Sequence, residues 1–254
     1  MAKPISVQLY TLREQAQKDF VGVLKTVAGI GYKGVETAGY HGLKPAEVRK
    51  IVEDLGMVVS SLHGAWPTKE NLQEVIDTAK ALGTPFTISG FGPDQFKTVA
   101  EIQKIAEMAN AVIEPLQKAG LQLAMHNHWW EFGMVEGRLA YDIFLERCPG
   151  MLCEIDVYWA ANFGAVNPVA EVTKHKARTP LLHIKDGPLV KDQPHTAVGA
   201  GKMDIPGVIK AADPKVLRYL VVELDACATD MTQAVRDSYK YLVGKGLALG
   251  NKPA

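Results

Sequence analysis

The feature that most constrains this chain is an alternation. A short run of β-branched and bulky apolar residues precedes a longer stretch with apolar residues three and four apart, and the unit recurs eight times. The strand candidates are ISVQLY (5–10), KGVETA (33–38), MVVSSLHG (57–64), PFTISG (85–90), LQLAMHNH (121–128), MLCEID (151–156), PLLHIK (180–185) and LRYLVVEL (217–224). Segments such as VGVLKTVAGI, PAEVRKIVEDL, NLQEVIDTAKAL and MTQAVRDSYKYLV carry the helical spacing. GIGYKG, DLGM, ALGTP, KAGLQ and CPGM stand between a helix and the next strand, where glycine suits the left-handed helix end. Alternating units of this kind imply parallel strands, because parallel neighbours need a crossover. Eight of them in 254 residues predict an α/β fold, a (β/α)8 TIM barrel with parallel strands, with residues 1–254 forming one domain. An open doubly wound sheet is the runner-up, but no G-x-G-x-x-G follows the first strand.

Period-two alternation then sorts the strand residues. Ile5, Val7 and Leu9 are expected to face the helices, with Ser6, Gln8 and Tyr10 inward. The second strand sends Val35 out and Glu36 in; the third sends Val58 and Leu62 out, and Val59, Ser61 and His63 in. In the fifth, Gln122, Ala124, His126 and His128 point inward. The last three send Leu152, Glu154 and Asp156, then Leu181, His183 and Lys185, then Val221, Glu223 and Asp225 inward. Ionisable groups therefore gather at the C-terminal strand ends, where barrel active sites sit. Buried charges need partners, so this ring calls for a cation or for internal pairing. His126 and His183 among carboxylates make a mixed N/O site for a divalent metal. Each residue taken singly also has a plainer reading as a satisfied polar core group. Glu154 and Glu36 could be structural, and Asp225 could cap the last loop. Trp129, Trp130 and Trp159 follow directly after such residues and fit a sugar-stacking wall.

Composition narrows the partners. Formal net charge is +0 and Lys and Arg form no runs, so the basic footprint of a nucleic-acid-binding protein is missing. No apolar stretch approaches the roughly 20 residues of a membrane span, and MAKPISVQLY does not read as a secretory signal. Cys148, Cys153 and Cys227 match no zinc spacing and read as reduced thiols of a cytoplasmic protein. The expected partner is a small sugar-like substrate, with neither nucleic acid nor membrane; a homo-oligomer is left open.

Six segments together carry a resemblance: QLYTLR, HNHWWEF, EIDVYWAANFGAVNPV, LLHIKDG, VGAGKMDIPGVI and VVELDA. In this order and at these strand ends the chain resembles the xylose isomerase-like TIM barrel superfamily, and its sugar phosphate isomerase/epimerase branch most. The resemblance implies one divalent metal ion (Mn2+, Mg2+, Co2+ or Zn2+) held by His126, Asp156, His183 and Glu223. His126 stands where the epimerases have a catalytic glutamate, and Trp159 where they usually have a histidine.

Proton abstraction next to a carbonyl of a sugar or keto-polyol is the expected chemistry. Glu223 is the base candidate, with Lys185 and His63 as donors to oxygen. Tyr10, Glu36, Trp129, Glu131 and Trp159 are the expected substrate contacts. With one carboxylate of the epimerase pair replaced, isomerisation or lyase-type elimination is expected over two-base epimerisation. Glu131, placed across the pocket from Glu223, would reverse that expectation. The competing reading is a sugar-binding or regulatory barrel that has lost turnover. GAGK at 199–202 is the nearest thing to a phosphate cradle.

Overall fold

The computed structural model describes residues 2–253. Eight parallel strands make a closed barrel: β1 (Lys3–Gln8), β2 (Gly34–Thr37), β3 (Val58–His63), β4 (Phe86–Ser89), β5 (Gln122–His126), β6 (Leu152–Asp156), β7 (Leu181–Ile184) and β8 (Tyr219–Val222). Neighbours pair in chain order, and β8 closes the ring on β1 with Ile5 opposite Leu220 and Val7 opposite Val222. A last short strand, Ala248–Leu249, adds to the start of β1. All eight expected strands form, each within two residues of its expected ends.

Helices α1 (Arg13–Ile30), α2 (Pro45–Asp54), α3 (Leu72–Leu82), α4 (Val99–Lys118), α5 (Ala140–Arg147), α6 (Pro168–His175), α7 (Ile205–Ala211) and α8 (Met231–Gly244) form the outer layer. Their starts are written locally. Thr98, Asn167, Asp204 and Asp230 each cap a first turn by accepting a backbone N–H. Gly83 ends α3 with φ +77, a conformation that costs glycine little.

Two apolar cores result. The larger lies between sheet and helices and takes Ile5, Val7, Leu123, Cys153, Leu182 and Val222. The smaller fills the lower barrel with Phe86, Ile88, Ala124, Leu181 and Val221. Strand parity is therefore as expected for β1 and β5–β8.

On β3 it is not. The register against β2 steps from Val35–Val59 to Glu36–Ser61 and skips Ser60. A residue inserted into a strand inverts the facing of everything before it. Val59, expected inward, joins the outer core, while Val58, expected outward, is 43% exposed beside the lower mouth. Ser60 and Ser61 both reach inside, Ser60 to Ser6 at 2.7 Å and Ser61 to Glu36 at 2.5 Å. The three cysteines are unpaired, and among the described residues no helix is long and apolar enough to cross a membrane.

Candidate active site

Residues two apart on a strand share a face about 6–7 Å apart in height, so each of the last three strands offers a lower and an upper polar group. The lower level joins Glu36, Glu154 and His183, all without exposed surface. His183 Nε2 lies 3.1 Å from Glu36 Oε1 and 3.1 Å from Glu154 Oε2. Glu36 also accepts from Gln8 at 2.5 Å and Ser61 at 2.5 Å, and lies 3.1 Å from His63 Nδ1. Burial alone would raise Glu36, but His183 and these hydrogen bonds hold it well below the usual carboxylate range. Glu154 goes the other way: burial and the neighbouring Glu36 charge push it well above that range. Two carboxylates around one imidazole cannot both ionise cheaply, so Glu154 keeps the proton.

His183 is shared with a second cluster, that of the ligand-type groups. His126, Asp156, His183 and Glu223 present one donor atom each, and these four atoms lie within 4.8 Å of one another. His126 turns Nδ1 towards Glu154 at 3.2 Å, which leaves Nε2 for the mouth. Burial and the neighbouring His183 hold His126 well below the usual histidine range, so it stands neutral, as a metal ligand must. Burial would lower His183 too, but Glu154, Glu36 and Glu223 hold it well above that range, so a metal ion there would displace its proton. Asp156 Oδ1 accepts the N–H groups of Tyr158 (3.0 Å) and Trp159 (2.9 Å), capping the helical turn Val157–Ala160. Its Oδ2 is left inward. Glu223 Oε2 meets His183 Nδ1 at 3.0 Å.

Lys185 is fully buried among these acids. Its Nζ lies 3.0 Å from Asp156, 3.1 Å from Glu223 and 2.6 Å from Asp225. Burial alone would lower the ammonium, but the three carboxylates hold it well above its ordinary value. Burial would likewise raise Glu223, yet Lys185 and His183 hold it well below. Two of the four ligand-type groups thus already face a positive charge. Two imidazoles and two carboxylates suit a borderline divalent ion, so the donor set fits the metal that the family resemblance implies.

Above the cluster two chambers open side by side. One, of about 250 Å3, is lined by Gln8, Tyr10, His63, His126, His128, Glu223 and Asp225. The other, of about 370 Å3, is lined by Trp129, Tyr158, Trp159, Phe163, His195 and Asp225. Trp129, Trp159, His63 and Tyr10 are thus at the mouth. Tyr10 stands on the helical turn Leu9–Leu12 rather than on β1 and is 45% exposed.

Two expected substrate contacts lie elsewhere. Glu36 sits beneath the mouth with its oxygens taken by Gln8, Ser61 and the two imidazoles, so it orients His63 and His183 instead. Glu131 is fully buried, accepts the His128 N–H at 2.8 Å and leaves Oε1 without a partner. Burial pushes it well above the carboxylate range, and it lines neither chamber, so it offers no second base at the mouth.

His128, His195 and Asp225 line the mouth without having been singled out as site residues. His128 stacks on Trp130 with ring centroids 4.2 Å apart. His195 accepts the Asp225 N–H at 3.3 Å and packs edge-on against Trp159 at 5.2 Å. Burial brings each of these histidines down to about 4. His195 sits in an irregular loop, where no periodicity marks it. Its position shortly before GAGK was the only signal. That motif is no phosphate cradle here: Asp186 fills it, accepting the N–H groups of Gly187, Gly199, Gly201 and Met203. A Cβ on Gly201 would stand 2.1 Å from Asp186 Oδ1 and 2.4 Å from the Gly187 nitrogen.

The family model for the xylose isomerase-like TIM barrel matches residues 24–242. No curated protein matches significantly in sequence. Among solved structures, a sugar phosphate isomerase/epimerase from Parabacteroides distasonis is similar, at 25% identity and TM-score 0.76, with 95% of this chain and 94% of that one covered. The probable 3-DHS dehydratase AsbF from Bacillus anthracis aligns at 11% identity and TM-score 0.73, covering 94% and 98%. An L-ribulose 3-epimerase aligns at 15% and TM-score 0.68, covering 97% and 95%. At these last two identities the likeness is one of fold.

Proposed function

We propose that this chain, which belongs to the xylose isomerase-like TIM barrel family, is a divalent-metal-dependent enzyme that abstracts a proton next to a carbonyl of a sugar or keto-polyol. The observation that carries the reading is the convergence of His126, Asp156, His183 and Glu223 from four successive strands on one point under an open chamber. Bound there, a divalent ion would chelate vicinal substrate oxygens and polarise the carbonyl.

The residues of the chain supply the rest. Glu223 Oε2 is engaged by His183 and Lys185, which leaves Oε1 towards the chamber to take the proton. Lys185, held charged beside Glu223, steadies negative charge developing on oxygen. His63, with Nδ1 committed to Glu36, offers Nε2 to a hydroxyl. Asp225 is a second carboxylate at the mouth, but it shares Lys185 with Glu223 and stands on the same side. With Glu131 buried away from both chambers, the base count favours one-face chemistry, namely 1,2-isomerisation or elimination of a β-oxygen.

The test is solvent exchange. The protein with Mn2+ is incubated in D2O with keto-hexoses and inosose-type ketones, and deuterium is located by NMR. Uptake at one carbon that vanishes in Glu223→Gln is the expected result. Inversion at a single centre, lost in both Glu131→Gln and Glu223→Gln, would establish an epimerase instead. Sugar binding without uptake on any substrate would mark a barrel that binds and does not turn over.

A further inference from the structure

The mouth is divided, and its halves differ in chemistry. The residues lining the chamber over the four-donor cluster are mostly of polar or ionisable type, His63, His126, His128, Glu223 and Asp225 among them. The neighbouring chamber is walled by aromatic rings. Trp129 and Trp159 both face Phe163, at centroid separations of 5.8 and 6.1 Å, and His195 closes the floor against Trp159. Neither tryptophan lines the polar chamber, so a single ring held over the cluster does not occupy the aromatic one.

The two nonetheless adjoin at a shared wall. Asp225 lines both, with about a third of its side chain exposed (35%). Lys185 joins them from below: its Nζ lies 3.1 Å from Glu223 and 4.9 Å from the centre of the Trp159 ring. The polar chamber, at about 250 Å3, falls below the roughly 300–1,000 Å3 usual for small-molecule sites, whereas the pair lies within it. The buried indole N–H of Trp159 has no acceptor in the protein, and an unpaired buried donor is costly unless a ligand supplies one. Lys191, 4.9 Å over the Trp129 ring, and Gln193 give the aromatic chamber a polar rim.

From this division we infer that the substrate carries two rings. An oxygen-rich keto sugar lies over the cluster, and a second flat ring, joined to it through oxygen, stacks between Trp129, Trp159 and Phe163. The inference rests on the function proposed above and narrows its substrate class to glycosides. The second ring presents an apolar face, as either a pyranose or an aryl group does.

Binding and turnover are read separately. Dissociation constants are measured by saturation-transfer NMR with Mg2+ present, for glucose, fructose, cellobiose, lactulose and phenyl β-D-glucoside. The two-ring probes are expected to bind about tenfold tighter than the corresponding monosaccharide, with saturation strongest on the second ring. The ratio should fall to near unity in Trp159→Ala and also in Phe163→Ala, which keeps the test alive if the tryptophan variant folds poorly. A gain confined to the phenyl glycoside identifies an aryl group as the second ring, and a gain confined to the disaccharides identifies a sugar. Ratios near unity in the parent protein, ratios unchanged in both variants, or no binding by any two-ring probe overturn the inference. Deuterium uptake by free keto sugars alongside any of those outcomes would leave the proposed function standing. A tryptophan-dependent gain with no uptake on any substrate would leave the chamber standing and sink the function.

Discussion

Lys185→Met tests the charge arrangement of the mouth most directly. Methionine keeps most of the stem and removes an ammonium that lies 3.0 Å from Asp156, 3.1 Å from Glu223 and 2.6 Å from Asp225. Removing one partner of a buried ion pair costs about 3–5 kcal/mol, because the other charge is left uncompensated. Asp225 is partly exposed and its share is screened by solvent, which places the expectation at about 3 kcal/mol, the lower end of that range. For a chain of this length each kcal/mol shifts the melting temperature by roughly 2–4 °C, so in EDTA the variant should melt roughly 6–12 °C below the parent. A divalent ion changes the comparison. It supplies the missing positive charge between Asp156 and Glu223, and no ammonium now opposes it. The variant should therefore bind Mn2+ more tightly than the parent by titration calorimetry. Since an ion at 100 times its dissociation constant adds about 2.7 kcal/mol, saturating Mn2+ should close much of the melting gap. Calorimetric melts of both proteins in EDTA and in Mn2+ read all of this. A variant that melts with the parent in EDTA, or a gap that Mn2+ does not narrow, would refute the reasoning.

Other expectations follow from particular contacts. Glu131→Gln should cost less than about 1 kcal/mol in urea unfolding and leave deuterium uptake intact, because burial disfavours the charged form of the residue it replaces and that residue lines neither chamber. Asp186→Asn gives up part of a carboxylate that accepts four backbone N–H groups. At about 1.5–3 kcal/mol for each hydrogen bond to a charged group, it should lose at least about 3 kcal/mol, with no inorganic phosphate binding in either form. His128 and His195, held down to about 4, bind fewer protons folded than unfolded. Their contribution is complete above the unfolded value of about 6.5 and drains away as pH falls towards 4, so stability should rise with pH across that window. His195→Gln should flatten the slope. His183, held above its ordinary value, has the opposite sign: its contribution is present below about 6.5 and lost as pH rises through its folded value.

The alternation of short apolar runs with helical spacing was enough to specify eight parallel strands, whereas their closure is a tertiary pairing of the last strand with the first. Periodicity is a local property, and each unit buries its face in the same way. The same logic put His126, Asp156, His183 and Glu223 at strand ends on the inward side. A two-residue period needs no tertiary information as long as a strand is regular. Where β3 takes in Ser60, that condition fails, and Val58 and Val59 change places. Nothing in MVVSSLHG announces the irregularity. Height within the barrel was equally illegible. Glu36 and Asp156 share inward parity, but Glu36 lies below the mouth, closed over by Gln8, Ser61 and two imidazoles, whereas Asp156 belongs to the cluster above it. Glu131 looks like any acid after HNHWW, yet the chain folds it beneath His128 and burial pushes it well above the carboxylate range. GAGK reads as an anion nest, and only the fold shows that the anion it holds is Asp186 of the same chain. Which groups converge was written in the order of the residues. Which of them reach the substrate depends on burial and hydrogen-bond partners drawn from distant strands, and those exist only once the barrel has closed.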